Sequence, residues 1–139
     1  MNINEILKTE ESKKNFLIGL VFLAKVDGNI DETEKYFFLN AAEGLQLSEE
    51  SQNAVNLSWS QEIMSELKFE NNMEKLFFLM QGIQLSNIDN SYSDKERSFI
   101  YKVASDLAIS NESVERIEAW VEEGIKWQNE GIKLLDLEG

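Results

Sequence analysis

The chain has 139 residues, of which 42% are hydrophobic. This composition excludes intrinsic disorder of the whole chain, and the length predicts one globular domain over residues 1–139. It contains neither cysteine nor histidine, which excludes disulfides, thiolate metal sites, cysteine nucleophiles and histidine bases. The formal net charge of −13 argues against binding to nucleic acid or anionic lipid, and it makes metal cations or basic protein surfaces the expected partners.

The first apolar segment is "KKNFLIGLVFLAK", residues 13–25. Its uninterrupted apolar run extends from Phe16 to Ala24, which is far short of the roughly 20 residues that a membrane-spanning helix needs. The run follows acidic residues and lacks a small-x-small cleavage site, so we interpret it as a buried helix and not as a signal peptide. We therefore expect a cytoplasmic protein without membrane insertion.

Further along the chain, apolar residues recur at spacings of three and four, and there is no proline. This periodicity predicts an all-α domain of about seven helices, with a polar connector near residues 58–72. Four of the predicted helices begin after residues that can cap them: Asp31, Ser48, Ser93 and Ser110. Glu34 lies three positions after Asp31, and Glu96 lies three positions after Ser93. This spacing is the pattern of a capping box.

The two halves of the chain repeat each other at a spacing of 62 residues. When residues 16–51 are aligned with residues 78–113, eleven of the 36 positions are identical, and no gap is needed. Each half contains an apolar helix, an acidic loop, an amphipathic helix, a short turn and a serine-capped helix. A repeat of this length that occurs twice predicts two pseudo-symmetric helical units that share one core.

The stretch "LAKVDGNIDETEKYFFLNAAEGLQLS" and its counterpart "LSNIDNSYSDKERSFIYKVASDLAISNES" resemble the TerB-like family. This family includes tellurite-resistance protein B and the N-terminal region of a membrane-anchored J-domain co-chaperone. The resemblance covers roughly residues 10–125. It implies an all-helical fold of two related halves, a part in the response to tellurite and other chemical stress, and divalent-cation binding by acidic loop residues.

Transferred position by position, the resemblance implies these metal-ligand candidates: Asp27, Asp31, Glu34, Asp89 and Glu96. Asp94 is a lesser candidate, because it lies one position after Ser93, which stands where the first loop has Asp31. With oxygen ligands alone, the expected ion is calcium (Ca2+) or another hard divalent cation. The first loop does not match an EF-hand, since Glu32 and Phe38 occupy its glycine and bidentate glutamate positions.

Helix capping is the alternative interpretation of the same acids. Gly28 can supply the left-handed conformation that ends a helix, and the pairs Asp31–Glu34 and Ser93–Glu96 can cap the next helices without any ion. Capping does not account for the aspartate that recurs at positions 27 and 89. Both interpretations stay open from the sequence.

The C-terminal segment "EEGIKWQNEGIKLL" repeats Glu-Gly-Ile-Lys seven residues apart. One helical stripe then contains Trp120, Gly124, Trp127, Gly131 and Leu134. This stripe is typical of a docking helix or of a homodimer interface anchored by Trp120 and Trp127, and the alternative is a last helix that packs on its own domain. We expect such packing for residues 112–125 and leave residues 126–137 open.

No motif of a catalytic site is present, so we expect a protein that is not an enzyme. The resulting hypothesis is a TerB-like stress-response module with a weak divalent-cation site in its acidic loops. The alternative hypothesis is an acidic protein-interaction scaffold whose loop acids only cap helices.

Overall fold

The computed structural model describes residues 3–28, 32–87 and 92–139, without the side chains of residues 32–34 and 37. Within these ranges the chain is all-helical and has no strand, as the periodicity predicts. The seven helices are α1 (Ile3–Ile6), α2 (Glu10–Lys25), α3 (Glu32–Gly44), α4 (Glu49–Ser58), α5 (Asn72–Ser86), α6 (Asp94–Asp106) and α7 (Asn111–Leu134). None of the described helices combines the length and the apolar character that crossing a membrane requires.

Side-chain caps define where the helices begin. Ser48 and Ser110 cap α4 and α7 as predicted, since the hydroxyl of each accepts a backbone N–H in the first turn. Thr9 and Asn71 cap α2 and α5 in the same manner, and these two caps were not predicted. The predicted capping box of Asp31 and Glu34 lies outside what the structure describes.

Helix starts recur with the period of the repeat. Three pairs begin 62 residues apart: α2 and α5, α3 and α6, and α4 and α7. The turns after α3 and α6 also match, because Gln46 and Ala108 both adopt the left-handed region with φ of 60°. In each turn the next amide reaches back to the helix, Leu47 to the carbonyl of Ala42 and Ile109 to that of Ala104. The pseudo-symmetry of the two units in space stays a prediction.

The centre of the core lies between α2 and α5, which contact each other through positions 62 residues apart. The rings of Phe16 and Phe78 meet edge to face with centroids 6.1 Å apart. Nearby, the buried hydroxyl of Ser12 donates to Oε1 of the buried Glu74 at 2.7 Å. A Cβ at Gly19 would lie 2.5 Å from the ring of Phe78, so only glycine allows the two helices to approach this closely.

The remaining helices surround this pair, and two segments close the core. The connector between α4 and α5 packs inward through Trp59 and Leu67, both of which are buried. Helix α7 covers α5 and α6 with its first half, where Val114 and Val121 are buried. After Ile125, every residue of the chain is exposed.

Candidate functional site

The start of the first predicted acidic loop is in contact with the residue that follows the second. At the end of α2, Gly28 has φ of +77°, the left-handed conformation predicted for it, and Asp27 stands beside it on the surface. At the start of α6, Ser93 and Glu96 form the predicted capping box. The hydroxyl of Ser93 donates to Oδ1 of Asp27 at 3.1 Å and accepts the amide of Glu96 at 3.1 Å. Asp27 therefore joins the end of α2 to the cap of α6.

Of the other predicted metal ligands, the structure describes the side chains of Glu96 and Asp94, and these do not form a metal-binding group with Asp27. One carboxylate oxygen of Glu96 accepts the amide of Ser93 at 2.9 Å, so it is engaged in capping. Asp94 is the first residue of α6 and lines a shallow surface depression with Arg97 and Tyr101. Asp31, Asp89 and the side chain of Glu34 lie outside the described part of the chain. Among the residues that are described, no three carboxylates are grouped closely enough to share a metal ion.

A second cluster fastens α7 to the rest of the domain. Its centre is Glu118, whose side chain is 16% exposed. Tyr92 and Tyr101 donate their hydroxyls to its two carboxylate oxygens at 2.9 Å and 2.8 Å. Arg97 donates to the same oxygens through Nε at 3.0 Å and Nη2 at 3.3 Å. The two phenols and the guanidinium thus hold one carboxylate of α7 against α6 and the segment before it.

Ionisation in this cluster follows from burial and hydrogen bonding. Burial by itself would raise the pKa of Glu118, but the hydrogen bonds from Arg97, Tyr101 and Tyr92 outweigh it and hold this pKa below its ordinary value. Burial and the bond to Glu118 raise the pKa of Tyr92 well above its usual range. The pKa of Tyr101 is raised by the same two causes. These phenols remain protonated donors, and the cluster is a structural anchor.

The end of α4 is held by a lysine from α2. The ammonium of Lys25 donates to the carbonyl of Ser58 at 2.8 Å and also to that of Gln61, and it lies 4.1 Å from the ring centroid of Phe22. Burial lowers the pKa of this amino group. A cation at the carboxyl end of a helix complements the helix dipole, so Lys25 stabilises the point where α4 stops.

Lys25 also lines a groove of about 930 Å³ between the end of α2, the connector and α6. Its apolar walls include Phe22, Trp59, Leu67 and Phe99. Because the ammonium already donates to two backbone carbonyls, its first role is to stabilise the fold of the connector and not to bind a ligand.

The exposed second half of α7 presents a different kind of surface. We call its large apolar side chains the C-terminal band, consisting of Trp120, Trp127, Ile132, Leu134, Leu135 and Leu137. Trp120 is 49% exposed, Trp127 is 75% exposed and Leu135 is 83% exposed. Large apolar side chains that stay uncovered in this number on one segment are typical of an interaction surface.

Two glycines interrupt the same surface. A Cβ added at Gly124 or Gly131 would have no atom within 4 Å, so nothing in the described protein explains the absence of a side chain there. Glycine inside a helix costs about 1 kcal/mol relative to alanine. The predicted packing of residues 112–125 on the domain is confirmed as far as Val121 and Ile125, whereas the segment that follows is uncovered.

In comparisons with protein families, with curated proteins and with solved structures, the chain has no match. The TerB-like resemblance therefore stays a prediction from the residues that carry it.

Sequence reasoning missed the two residues that do most to position these surfaces, Lys25 and Glu118. Their partners lie 33 and 21 residues away, so no local pattern shows the contacts. A signal did exist for Glu118, because it stands next to Ile117 and between Val114 and Val121 on the core-facing side of α7. An acid in such a position needs partners.

Proposed function

We propose that the protein is a non-enzymatic, cytoplasmic TerB-like module of a chemical-stress response, and that it binds a protein partner along the C-terminal band. The observation that carries this proposal is the exposure of six large apolar side chains on α7 and the four residues that follow it, with Trp127 at 75%. Tryptophan is enriched among the hot spots of protein interfaces, since a single side chain can bury a large area there.

The charge around the band supports a protein and not a lipid surface as partner. Glu123, Glu130, Asp136 and Glu138 accompany the band, against Lys126 and Lys133. Helices that lie on anionic membranes have a polar face rich in lysine and arginine, and α7 has the opposite balance.

Site-specific photo-crosslinking in cells tests this proposal. A photoreactive phenylalanine analogue is placed at Trp127, and a matched control carries it at Tyr36 of α3, which is 66% exposed. During tellurite exposure, the analogue at position 127 is expected to give a discrete protein adduct that the analogue at position 36 does not give. The absence of an adduct at position 127, or equal labelling at both positions, contradicts the proposal.

A divalent-cation site at the loop junction is the second candidate function. It is favoured by the contact between Asp27 and Ser93, which brings the start of the first loop to the end of the second. If calcium binds the native state there, millimolar Ca2+ raises Tm by mass action. Asp27→Asn is expected to abolish the increase, and Asp106→Asn, at an exposed aspartate elsewhere on α6, is expected to retain it. An equal response of all three proteins would indicate charge screening and would reject the site.

A further inference from the structure

The segment that carries the C-terminal band also has a regular sequence pattern. Five positions of α7 alternate at spacings of four and three residues, the a and d spacing of a coiled coil: Trp120, Gly124, Trp127, Gly131 and Leu134. Along this seam, tryptophan and glycine alternate twice. A partner that fits it must offer small residues opposite each tryptophan and large residues opposite each glycine.

Helix α7 is itself such a partner when a second copy lies antiparallel to it. If Trp120 of one copy is placed opposite Gly131 of the other, Trp127 falls opposite Gly124, and Ile117 falls opposite Leu134. The two glycines have no atom within 4 Å of a Cβ position, so there is room for an indole ring at each. Every tryptophan of the seam then packs over a glycine.

We propose that the chain forms an antiparallel homodimer through α7, in which Trp120 and Trp127 of each copy pack on Gly131 and Gly124 of the other. This inference rests on the proposed function, because it names a second copy as the protein that covers the C-terminal band.

The direction of the seam permits this arrangement. At about 100° per residue, the seam is turned by roughly 110° from the side of α7 on which Val114 and Val121 enter the core. The seam and the core-facing side are therefore different sides of α7. The two-fold axis of an antiparallel pair places both domains on the same side of the helix pair. Ile132 points to that side as well, toward the domain of the second copy.

The seam also exposes apolar area that a dimer can bury. With exposed fractions of 49% and 75%, its two tryptophans offer on the order of 300 Å² per copy. Leu134 of the seam, which is 62% exposed, adds to this. A standard interface buries about 800 Å² per partner, so the seam supplies about half of that value.

Sedimentation equilibrium of the full chain and three variants tests the inference. Wild type is expected at twice the chain mass of 16.0 kDa at micromolar concentration. Gly131→Leu places a side chain where the indole must lie, and it is expected to raise the dimer dissociation constant by at least about tenfold. In the monomer the same side chain has free space, so circular dichroism should show unchanged or increased helix content. Trp127→Glu should likewise yield a monomer.

Asn129→Leu is the matched control, since it adds the same side chain two positions away on the opposite side of α7 and should leave the dimer intact. A monomeric wild type overturns the inference. A dimer that Gly131→Leu does not weaken also overturns it, because association then uses another face. In either case a heterologous adduct at position 127 would still support the proposed function, so the two failures are distinguishable.

The orientation of the helices can be tested separately because the chain has no cysteine. Spin labels at Lys126→Cys lie near the dyad of the antiparallel pair, and those at Glu138→Cys lie at opposite ends, roughly 40 Å apart by helix rise. Short distances at both positions would indicate a parallel pair and would reject the proposed register.

Discussion

Helices α4 and α7 begin in the same way and end differently. They start 62 residues apart, and each has a serine N-cap that accepts the amide of another serine three positions on. Helix α4 stops after 10 residues, and the chain turns inward at the buried Trp59, whereas α7 continues for 24 residues and leaves the domain. The start of a helix is therefore determined locally, and its end depends on what the fold provides there.

The different ends of α4 and α7 correspond to a difference between two residues at equivalent positions of the repeat, Lys25 and Asn87. Lys25 is the last residue of α2, and its side chain donates to the carbonyl of Ser58 at the end of α4. Its equivalent after α5 is Asn87, whose side chain donates at 2.7 Å to the carbonyl of Ile83 in its own helix. Helix α4 thus receives a cation at its carboxyl end from a neighbour, and α7 receives no such contact from position 87.

The two outcomes create different surfaces. Where α4 stops, the connector folds over the core and forms one wall of the apolar groove. Where α7 continues, the C-terminal band stays uncovered. We therefore expect α7 to be fastened as far as Ile125 by contacts inside the chain and to be stabilised beyond Ile125 by a partner.

The largest expected effect is the loss of the anchor on the packed half of α7. Glu118→Ala removes the acceptor of two phenols and a guanidinium, and it should lower the free energy of unfolding by about 2 to 3 kcal/mol. Urea denaturation followed by circular dichroism measures this value. Glu122→Ala, at an exposed position of the same helix, should change it by less than about 0.5 kcal/mol. Equal effects of the two substitutions would contradict the anchor.

The same carboxylate makes stability depend on pH. The pKa of Glu118 in the folded protein lies below its ordinary value of 4.5, so its contribution is complete above about pH 4.5 and is lost as the pH falls through the folded pKa. The difference in unfolding free energy between wild type and Glu118→Gln should therefore be constant from pH 7 to 5 and should shrink toward pH 3. A difference that grows on acidification would show the opposite sign of the pKa shift.

The next effect concerns the end of α4. Lys25→Met keeps an unbranched side chain over Phe22 but removes the donor to two backbone carbonyls, and it should cost about 2 kcal/mol of unfolding free energy. Lys102→Met is the control, because this lysine is exposed and pairs with an exposed aspartate on its own helix. If both substitutions have the same small effect, Lys25 does not account for the different lengths of α4 and α7.

The smallest effect concerns the turns that precede the two helices. Ala108 has φ of 60°, a conformation that costs a residue with a Cβ about 1 kcal/mol or more. Ala108→Gly should therefore raise the free energy of unfolding by up to about 1 kcal/mol, and Gln46→Gly should do the same. Ala119→Gly in the exposed middle of α7 is the control and should lower it by about 1 kcal/mol. A loss at all three positions would contradict the left-handed turns.

Local features of this fold could be predicted from the sequence, and long-range contacts could not. The helices, the caps at Ser48, Ser93 and Ser110 and the left-handed Gly28 follow from periodicity and cap chemistry within a few residues. The partner of Asp27 is 66 residues away, so its bond to Ser93 could not be anticipated. This bond gives Asp27 a structural role that capping alone did not explain.

The turns show the same limit on a smaller scale. Gln46 and Ala108 lie in the short turn that is predicted in each half, but no glycine marks their left-handed conformation. The exposure of residues 126–139 could not be predicted either, because the same stripe suits a helix that packs on its own domain and a helix that packs on another protein.

Hydrogen exchange as a function of protein concentration tests most directly whether the second half of α7 depends on a partner. In mass spectrometry, peptides covering residues 111–121 should exchange at the same rate at submicromolar and at high micromolar concentration, because contacts within the chain protect them. Peptides covering residues 126–134 should exchange rapidly in dilute protein and become protected as the dimer forms. Exchange of residues 126–134 that does not change with concentration would contradict the account.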